Sequence, residues 1–184
     1  MIREYEKIEN NLSIHMELAI DGTDDCEINT SDGFFDKMLS NMAAEAKFDM
    51  RISVEKKANC LEKKLYREVG TALGILIKEH YDKFPEHELI GSSTDIIQDA
   101  LITAAVNLAG RTYLNYPLEF TVTHIEGISV DSIYEFFYSV VTASSISLHF
   151  IEHRGTGRID NYHLAEASFL SFGKAIKNAF TDAL

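Results

Sequence analysis

Two kinds of hydrophobic periodicity divide the first half of the chain into predicted strands and helices. Apolar and polar residues alternate over residues 12–20, as in a strand with one buried face, and residues 48–54 are also predicted to form a strand. Apolar residues recur at three- and four-residue spacing over 35–42 and 69–80, which is the period of a helix. The second helix is expected to end before Pro85, because proline cannot continue it.

The second half of the chain has a similar order of elements. The predicted strands are residues 104–108, 118–123 and 145–151, and the predicted helices are residues 133–141 and 165–179. Strands followed by helices, twice over, indicate an α+β fold made by duplication, in which the helices pack over the sheets. We therefore expect one domain over residues 1–184, with internal halves of about 1–90 and 91–184.

The composition excludes several classes of protein. The chain of 184 residues is 46% apolar and 25% charged, which is typical of a globular domain, and its formal net charge is -12. So acidic a chain lacks the basic surface that nucleic-acid binding requires, and no apolar run is long enough to span a membrane. The first residues lack the apolar core of a signal peptide, and the two cysteines form no CxxC pair. These features predict a cytoplasmic protein.

The segment 62–68, Glu-Lys-Lys-Leu-Tyr-Arg-Glu, has the spacing of a metal-ligand cluster at the start of a helix but the wrong residues for one. Protonated lysine and arginine offer hydrogen-bond donors and no lone pair, so they repel a divalent cation. A similar cluster in the second half, residues 162–166, keeps His163 and Glu166 at the same three-residue step. Of the two clusters, only the second keeps residues that could bind a metal.

Several further motifs carry a resemblance to a known family. They are Thr-Ser-Asp-Gly-Phe-Phe-Asp-Lys-Met-Leu at 30–39, Glu-Val-Gly-Thr-Ala-Leu-Gly at 68–74, Asn-Leu-Ala-Gly-Arg at 107–111, Ser-Leu-His-Phe at 147–150 and His-Leu-Ala-Glu-Ala-Ser-Phe at 163–169. They resemble, in order and spacing, the imidazoleglycerol-phosphate dehydratase patterns T-G-x-G-F-x-D-H-M-L, D-V-G-x-A-L-G, D-x-S-G-R, T-L-H-x and the end of H-H-x-x-E-A-x-F-K. The resemblance covers nearly the whole chain.

This resemblance implies a fold, an activity and an assembly. The implied fold is ribosomal protein S5 domain 2-like, with two similar β/α halves and helices sandwiched between two sheets. The implied activity is that of a carbon–oxygen lyase of histidine biosynthesis, in which two H-H-x-x-E clusters and two further histidines hold a pair of manganese ions. The bound metals act there as Lewis acid and orienting template. Members of the family assemble as trimers, which manganese helps to build into a larger shell.

The sequence departs from the family pattern at the metal-ligand positions. Cations stand at Lys37, Lys63, Lys64 and Arg67, and a tyrosine stands at Tyr162. The residual candidates for metal ligands are His149, His163 and Glu166. The other histidines lie off the motif positions and are expected to be ordinary surface or turn residues; these are His15, His80, His87, His124 and His153.

Positions that face the substrate in the family are also altered. Leu89 stands where the resemblance implies a phosphate-binding arginine, and Leu170 stands where it implies a lysine. The acidic family stretch P-M-D-E-A-L becomes Ile-Ile-Gln-Asp-Ala-Leu at 96–101. Arg111 is kept, and with Ser92 it forms the candidate site for a small anionic ligand.

The cations at the former ligand positions allow three interpretations. In the first interpretation, they form a salt-bridge network with Glu166 and neighbouring acids, since buried like charges are costly without partners. Alternatively, they line a pocket for an anionic ligand beside Arg111. In the third interpretation, the start of the helix has become a solvated surface on which these charges have no role.

Three functions remain open. We favour a protein whose fold is kept as a binding or assembly scaffold without manganese-dependent dehydratase activity, and we expect a metal-independent homo-oligomer, with a trimer favoured. One alternative is an active dehydratase with a reorganised site, which would retain manganese in part. The other is a different enzyme that uses Lys63 or Lys64 as a base or Schiff-base former, since neighbouring cations lower the pKa of a lysine.

Overall fold

The structure is a computed structural model that describes residues 2–23, 25–83, 89–108, 111–154 and 158–181. The elements of the first half are β1 (Arg3–Ile8), β2 (Leu12–Ala19), β3 (Cys26–Asn29), α1 (Gly33–Ala46), β4 (Asp49–Lys56) and α2 (Glu62–Tyr81). Those of the second half are β5 (Ile90–Ile97), β6 (Ala100–Asn107), β7 (Tyr113–Asn115), β8 (His124–Ile125), β9 (Ile128–Ser129), α3 (Val130–Ser144), β10 (Ser147–Glu152) and α4 (Asn161–Thr181).

The two halves have the same sheet topology. The first sheet has the strand order β1-β2-β4-β3, and the second has the order β5-β6-β10-β7. In each sheet the first three strands are antiparallel and the last strand is parallel to its neighbour. The α+β fold with two similar β/α halves, predicted from the sequence, is confirmed.

The helices form the layer between the sheets. Helix α2 packs on β1 and β2, α4 packs on β5 and β6, and the layer is joined by contacts of α1 with α4 and of α2 with α3. Its centre is aromatic: the ring of Phe35 in α1 stacks on Tyr66 in α2 at 3.9 Å, and Phe136 in α3 stacks on Phe169 in α4 at 5.1 Å. The apolar stripes predicted from the sequence are therefore core.

Helix α2 has no side-chain cap of its own at its start. Its first residue, Glu62, instead accepts hydrogen bonds from the backbone N–H of Ser129 at 3.0 Å and from the hydroxyl of Ser132 at 2.5 Å. Ser132 is buried, so this carboxylate satisfies a buried hydroxyl and a backbone N–H at the start of α3. The contact fixes the beginning of α2, and with it Lys63, Lys64 and Arg67, against α3.

One predicted strand is wrong. Residues 118–123 form no strand, because their backbone N–H groups are used elsewhere: Glu119 donates to the Glu152 carboxylate at 2.9 Å and Thr121 donates to Asn161 Oδ1 at 2.7 Å. Pro117, just before this segment, has no N–H to offer a sheet. The parallel edge strand of the second sheet is β7, and neither it nor β1, β3 and β5 was predicted.

Two expectations about single residues have different outcomes. His80 was expected at the surface or in a turn, but it is buried in α2, and its Nδ1 donates to the Leu76 carbonyl at 2.8 Å. The helix end expected before Pro85 is found at Tyr81, while Pro85 and His87 lie outside the described residues. Among the residues that are described, no helix is long and apolar enough to cross a membrane.

Candidate functional site

Lys64, at a former ligand position, is held by the turn between β1 and β2. Its Nζ lies 2.6 Å from a carboxylate oxygen of Glu9 and 2.8 Å from the side-chain oxygen of Asn11. Lys7 approaches the same Glu9 carboxylate at 2.8 Å. Hydrogen bonds from Lys64 and Lys7 lower the pKa of Glu9 from its ordinary value of 4.5 to about 2.

Glu68, one turn further along α2, forms the second anionic centre. It is buried, it accepts a hydrogen bond from Lys7 at 2.7 Å, and Arg67 Nε lies 3.4 Å from its other oxygen. Hydrogen bonds to Glu68 and Glu9 raise the pKa of Lys7. Lys64, Glu9, Lys7, Glu68 and Arg67 thus form one chain of alternating charges, which we call the α2 ion network.

Two of the four cations lie outside this network and are largely solvated. Lys63 has a side chain that is 55% exposed, and its Nζ lies 3.5 Å from Glu135 of α3. Lys37, on α1, lies over the ring of Tyr162 at 4.8 Å from its centroid, and contact with that side chain raises the pKa of Lys37. Lys37 on α1 is therefore in contact with Tyr162 on α4. Both residues stand at positions where the family pattern has a metal ligand.

The residual candidates for metal ligands each contact a different partner. His163 Nδ1 lies 2.7 Å from the Asp99 carboxylate, and Glu166 accepts a hydrogen bond from the Asn41 side chain at 2.7 Å. His149 lies on the outer face of the second sheet, with its ring 5.1 Å from that of Tyr113. Within the described part of the chain, no three His, Cys, Asp or Glu side chains are grouped so that they could hold a metal ion.

The leucines at two positions where the family pattern has a cation are both buried. Leu89 is 3% exposed and Leu170 is 7% exposed, and Leu170 also lines a pocket with Asn41 and Glu166. Ser92 is exposed on β5, and its carbonyl accepts a hydrogen bond from Asn178 at 2.8 Å. Arg111 is exposed, and its carbonyl accepts a hydrogen bond from Ser147 at 2.8 Å. The hydrogen bonds and ion pairs of the described residues do not join Ser92 to Arg111, so their joint role is still a prediction.

A polar cleft of about 680 Å³ opens beside Lys64. Its lining residues are Glu9, Asn10, Asn11, Lys57, Asn59 and Lys64. Amide and ammonium groups of this kind can hydrogen-bond an anion, although the carboxylate of Glu9 occupies part of the donor capacity of Lys64. The sequence alone did not indicate Lys7, Glu9 or Asn11, because only the tertiary fold brings the β1–β2 turn to the start of α2.

Comparison with known proteins supports the fold and gives the family. A family model described as imidazoleglycerol-phosphate dehydratase matches residues 30–176. The imidazoleglycerol-phosphate dehydratase of Lachnoclostridium phytofermentans is 31% identical over 166 residues, which are 90% of this chain and 83% of that relative. That of Campylobacter curvus is 32% identical over 166 residues, covering 90% of this chain and 84% of the relative.

Solved structures of imidazoleglycerol-phosphate dehydratases have the same fold as this chain. The Staphylococcus aureus dehydratase superposes with a TM-score of 0.83 at 22% identity, covering 97% of this chain and 98% of that one. The Pyrococcus furiosus protein gives a TM-score of 0.77 at 24% identity, covering 95% and 92%. The chain is thus an α+β protein of two similar halves with its helices between two sheets. It belongs to the imidazoleglycerol-phosphate dehydratase family.

Proposed function

We propose that this family member does not carry out manganese-dependent dehydration and that its fold serves as a binding or assembly scaffold. The observation that carries the proposal is the α2 ion network. At the position of Lys64, where the family pattern has a histidine, an ammonium group is bound by Glu9 and Asn11. A protonated amine offers no lone pair to a metal, and its positive charge opposes the approach of one.

The network also gives the cations a structural role in place of a ligand role. Glu68 is buried, and a buried carboxylate needs charged partners; Lys7 and Arg67 supply them. Among the three interpretations of the cations, this arrangement supports the salt-bridge interpretation for Lys64 and Arg67. Solvation describes Lys63 and Lys37 better, because both side chains are exposed.

One observation favours the alternative of an active dehydratase. His163 Nδ1 faces the Asp99 carboxylate, and this is the arrangement that orients a metal-binding histidine through its other ring nitrogen. The relatives described above are also named as dehydratases. Nothing comparable favours the Schiff-base alternative: Lys63 and Lys64 each have a carboxylate within 3.5 Å, so their surroundings are not the purely cationic ones that this alternative requires.

A direct assay separates the scaffold from the enzyme. Purified protein is incubated with imidazoleglycerol phosphate and manganese, and loss of water from the substrate is followed against a protein-free control. We expect no turnover above that control. Manganese-dependent turnover that is abolished in a His163→Ala variant would show an active dehydratase with a reorganised site and overturn the proposal.

A further inference from the structure

The polar cleft beside Lys64 is built from three separate segments in the first half of the chain. One wall is the β1–β2 turn at 9–11, the other is the segment at 57–59 that follows β4, and Lys64 contributes from α2. Backbone hydrogen bonds hold the walls in place: the N–H of Lys57 donates to the Asn11 carbonyl at 3.1 Å, and that of Cys60 donates to the Lys57 carbonyl at 2.9 Å. The cleft is therefore formed by the fold itself, and a ligand need not order it.

Three of the side chains that line the cleft have no partner in the described part of the chain. The ammonium group of Lys57 and the amides of Asn10 and Asn59 make no hydrogen bond or ion pair there. Lys64, by contrast, is already held by the β1–β2 turn. A ligand can therefore bind the three free groups without breaking any contact within the chain.

The charge of the lining is opposite in sign to that of the whole chain. Two lysines and one glutamate line the cleft, so its formal charge is 2 - 1 = +1, whereas the chain has a formal net charge of -12. Glu9 stays ionised at neutral pH, because its pKa is lowered to about 2. The lining thus attracts an anion, but the Glu9 carboxylate repels a second negative charge. A phosphate ester carries a charge of about -1.5 to -2 at pH 7 and a carboxylate only a single one, so the balance favours a monocarboxylate.

The polarity of the lining restricts the rest of the ligand. All six lining residues are polar or charged, so the cleft lacks the apolar walls that hold most drug-like ligands. A primary amide offers both donors and an acceptor, and a hydroxyl group does the same, so three asparagines suit a ligand that carries several hydroxyls. The volume of about 680 Å³ is typical of a small-molecule site.

We infer that this cleft binds a small hydroxylated monocarboxylate of the sugar-acid class, with its carboxylate at Lys57 and its hydroxyls at the asparagine amides. The inference rests on the binding part of the proposed function and names the class of ligand. None of the family motifs in the sequence includes Lys57, Asn10 or Asn59. Ser92 and Arg111, the candidate anion site in the second half, do not line this cleft.

Failure of this inference and failure of the proposed function give different results. A chain that neither dehydrates imidazoleglycerol phosphate nor binds a sugar acid would overturn the ligand and leave the absence of metal chemistry standing. An active dehydratase that binds a sugar acid through Lys57 would overturn the proposed function and leave the cleft standing.

Four probe compounds test the chemistry of the ligand. Isothermal titration calorimetry with gluconate should show one site per chain with a dissociation constant of about 1 mM or lower. Glucose lacks the charge, acetate lacks the hydroxyls, and glucose 6-phosphate carries a second negative charge. Each of these three should bind at least tenfold more weakly than gluconate. Because the pair with Lys57 is exposed, gluconate binding should also weaken as the salt concentration rises.

Two adjacent lysines provide a matched pair of variants. Lys57→Met should weaken gluconate binding at least tenfold, because it removes the free ammonium group. Lys56→Met removes the same charge from an exposed residue that does not line the cleft, and it should bind gluconate as the wild type does. Asn59→Ala should weaken the binding of gluconate and leave that of acetate unchanged. All three residues are exposed, so the variants should fold, and circular dichroism checks this.

Three results would each overturn the inference. The first is the absence of gluconate binding up to about 20 mM, checked by NMR titration of the labelled protein so that binding without heat is also detected. The second is an equal loss of binding in Lys57→Met and Lys56→Met, which would mean that general charge and not the cleft attracts the ligand. The third is tighter binding of glucose 6-phosphate than of gluconate, which would contradict the preference for a single negative charge.

Discussion

Lys64 and Glu9 illustrate how single residues define the former ligand site. The lysine donates to two side chains from the β1–β2 turn, and the carboxylate is shared with Lys7. Because all these groups are at least partly exposed, solvent screens the pair and limits its contribution to stability. Its main effect is on local charge, since the glutamate is held ionised far into the acid range.

This effect can be measured by replacing Lys64 with a side chain of similar length and no charge. In Lys64→Met, the pKa of Glu9 should rise from about 2 toward its ordinary value of 4.5, because the hydrogen bond that lowers this pKa most is gone. Carbon-detected NMR of the Glu9 carboxyl during an acid titration gives this value directly. Since the folded-state pKa is lowered, the stability from this pair is present above pH 4.5 and is lost as the pH falls through about 2.

Lys63→Met is the matched control for that titration. Lys63 is adjacent in sequence but pairs with Glu135 and not with Glu9. The Glu9 titration should therefore be the same as in the wild type. An equal shift in both variants would mean that general charge, and not the specific pair with Lys64, lowers the pKa.

At the scale of elements, the close approach of α2 to α3 positions the whole cluster. Gly70 and Gly74 lie on the face of α2 that meets α3: a Cβ atom on Gly70 would lie 2.5 Å from the Phe136 carbonyl oxygen, and one on Gly74 would lie 2.5 Å from that of Val140. Both carbonyl oxygens belong to the backbone of α3, so they cannot make room for a methyl group by a change of side-chain rotamer. The glycines of the motif at 68–74 are thus required by packing, whatever the chemistry at the start of the helix.

Gly74→Ala should accordingly destabilise the fold. Alanine favours a helix by about 1 kcal/mol over glycine, but the added methyl group would press α2 away from α3, and overpacking of this kind costs about 1–3 kcal/mol or more. Chemical denaturation should give a net loss of stability. Gly33→Ala, at the first residue of α1 with no atom within 4 Å of the new Cβ, should be neutral or slightly stabilising. A Gly74→Ala variant as stable as wild type would contradict this account of the α2–α3 contact.

At the scale of the whole molecule, the proposed scaffold function predicts a stability that does not depend on manganese. A metal present at 1,000 times its dissociation constant would add about 4 kcal/mol, which is a shift of many degrees for a chain of this size. Thermal unfolding should give the same Tm with manganese, with magnesium as the control, and with a chelator. A shift specific to manganese would indicate that His163 and Glu166 still contribute to a metal site.

The elements that could be predicted from sequence are those whose buried face is clearly apolar and whose exposed face is clearly polar. Apolar and polar residues alternate clearly over 12–20, which predicts β2, and apolar residues recur at helical spacing over 69–80, which predicts α2. The duplicated order of elements was predicted from patterns of the same two kinds. Strand β1 was missed because its sequence, Arg-Glu-Tyr-Glu-Lys-Ile, contains too few apolar residues to show the alternation that predicts a strand. The segment at 118–123 was assigned wrongly because the backbone N–H groups of Glu119 and Thr121 donate to side chains from distant elements and not to a neighbouring strand.

By itself, the sequence determined the order of most elements, because local periodicity records it directly, and its motifs indicated the family and placed cations at four positions where the family pattern has metal ligands. Only the tertiary structure decided what the cations contact. Lys7, Glu9 and Asn11 meet Lys64, Arg67 and Glu68 because β1 and β2 pack on α2, and no local pattern encodes a contact between residues some 55 positions apart.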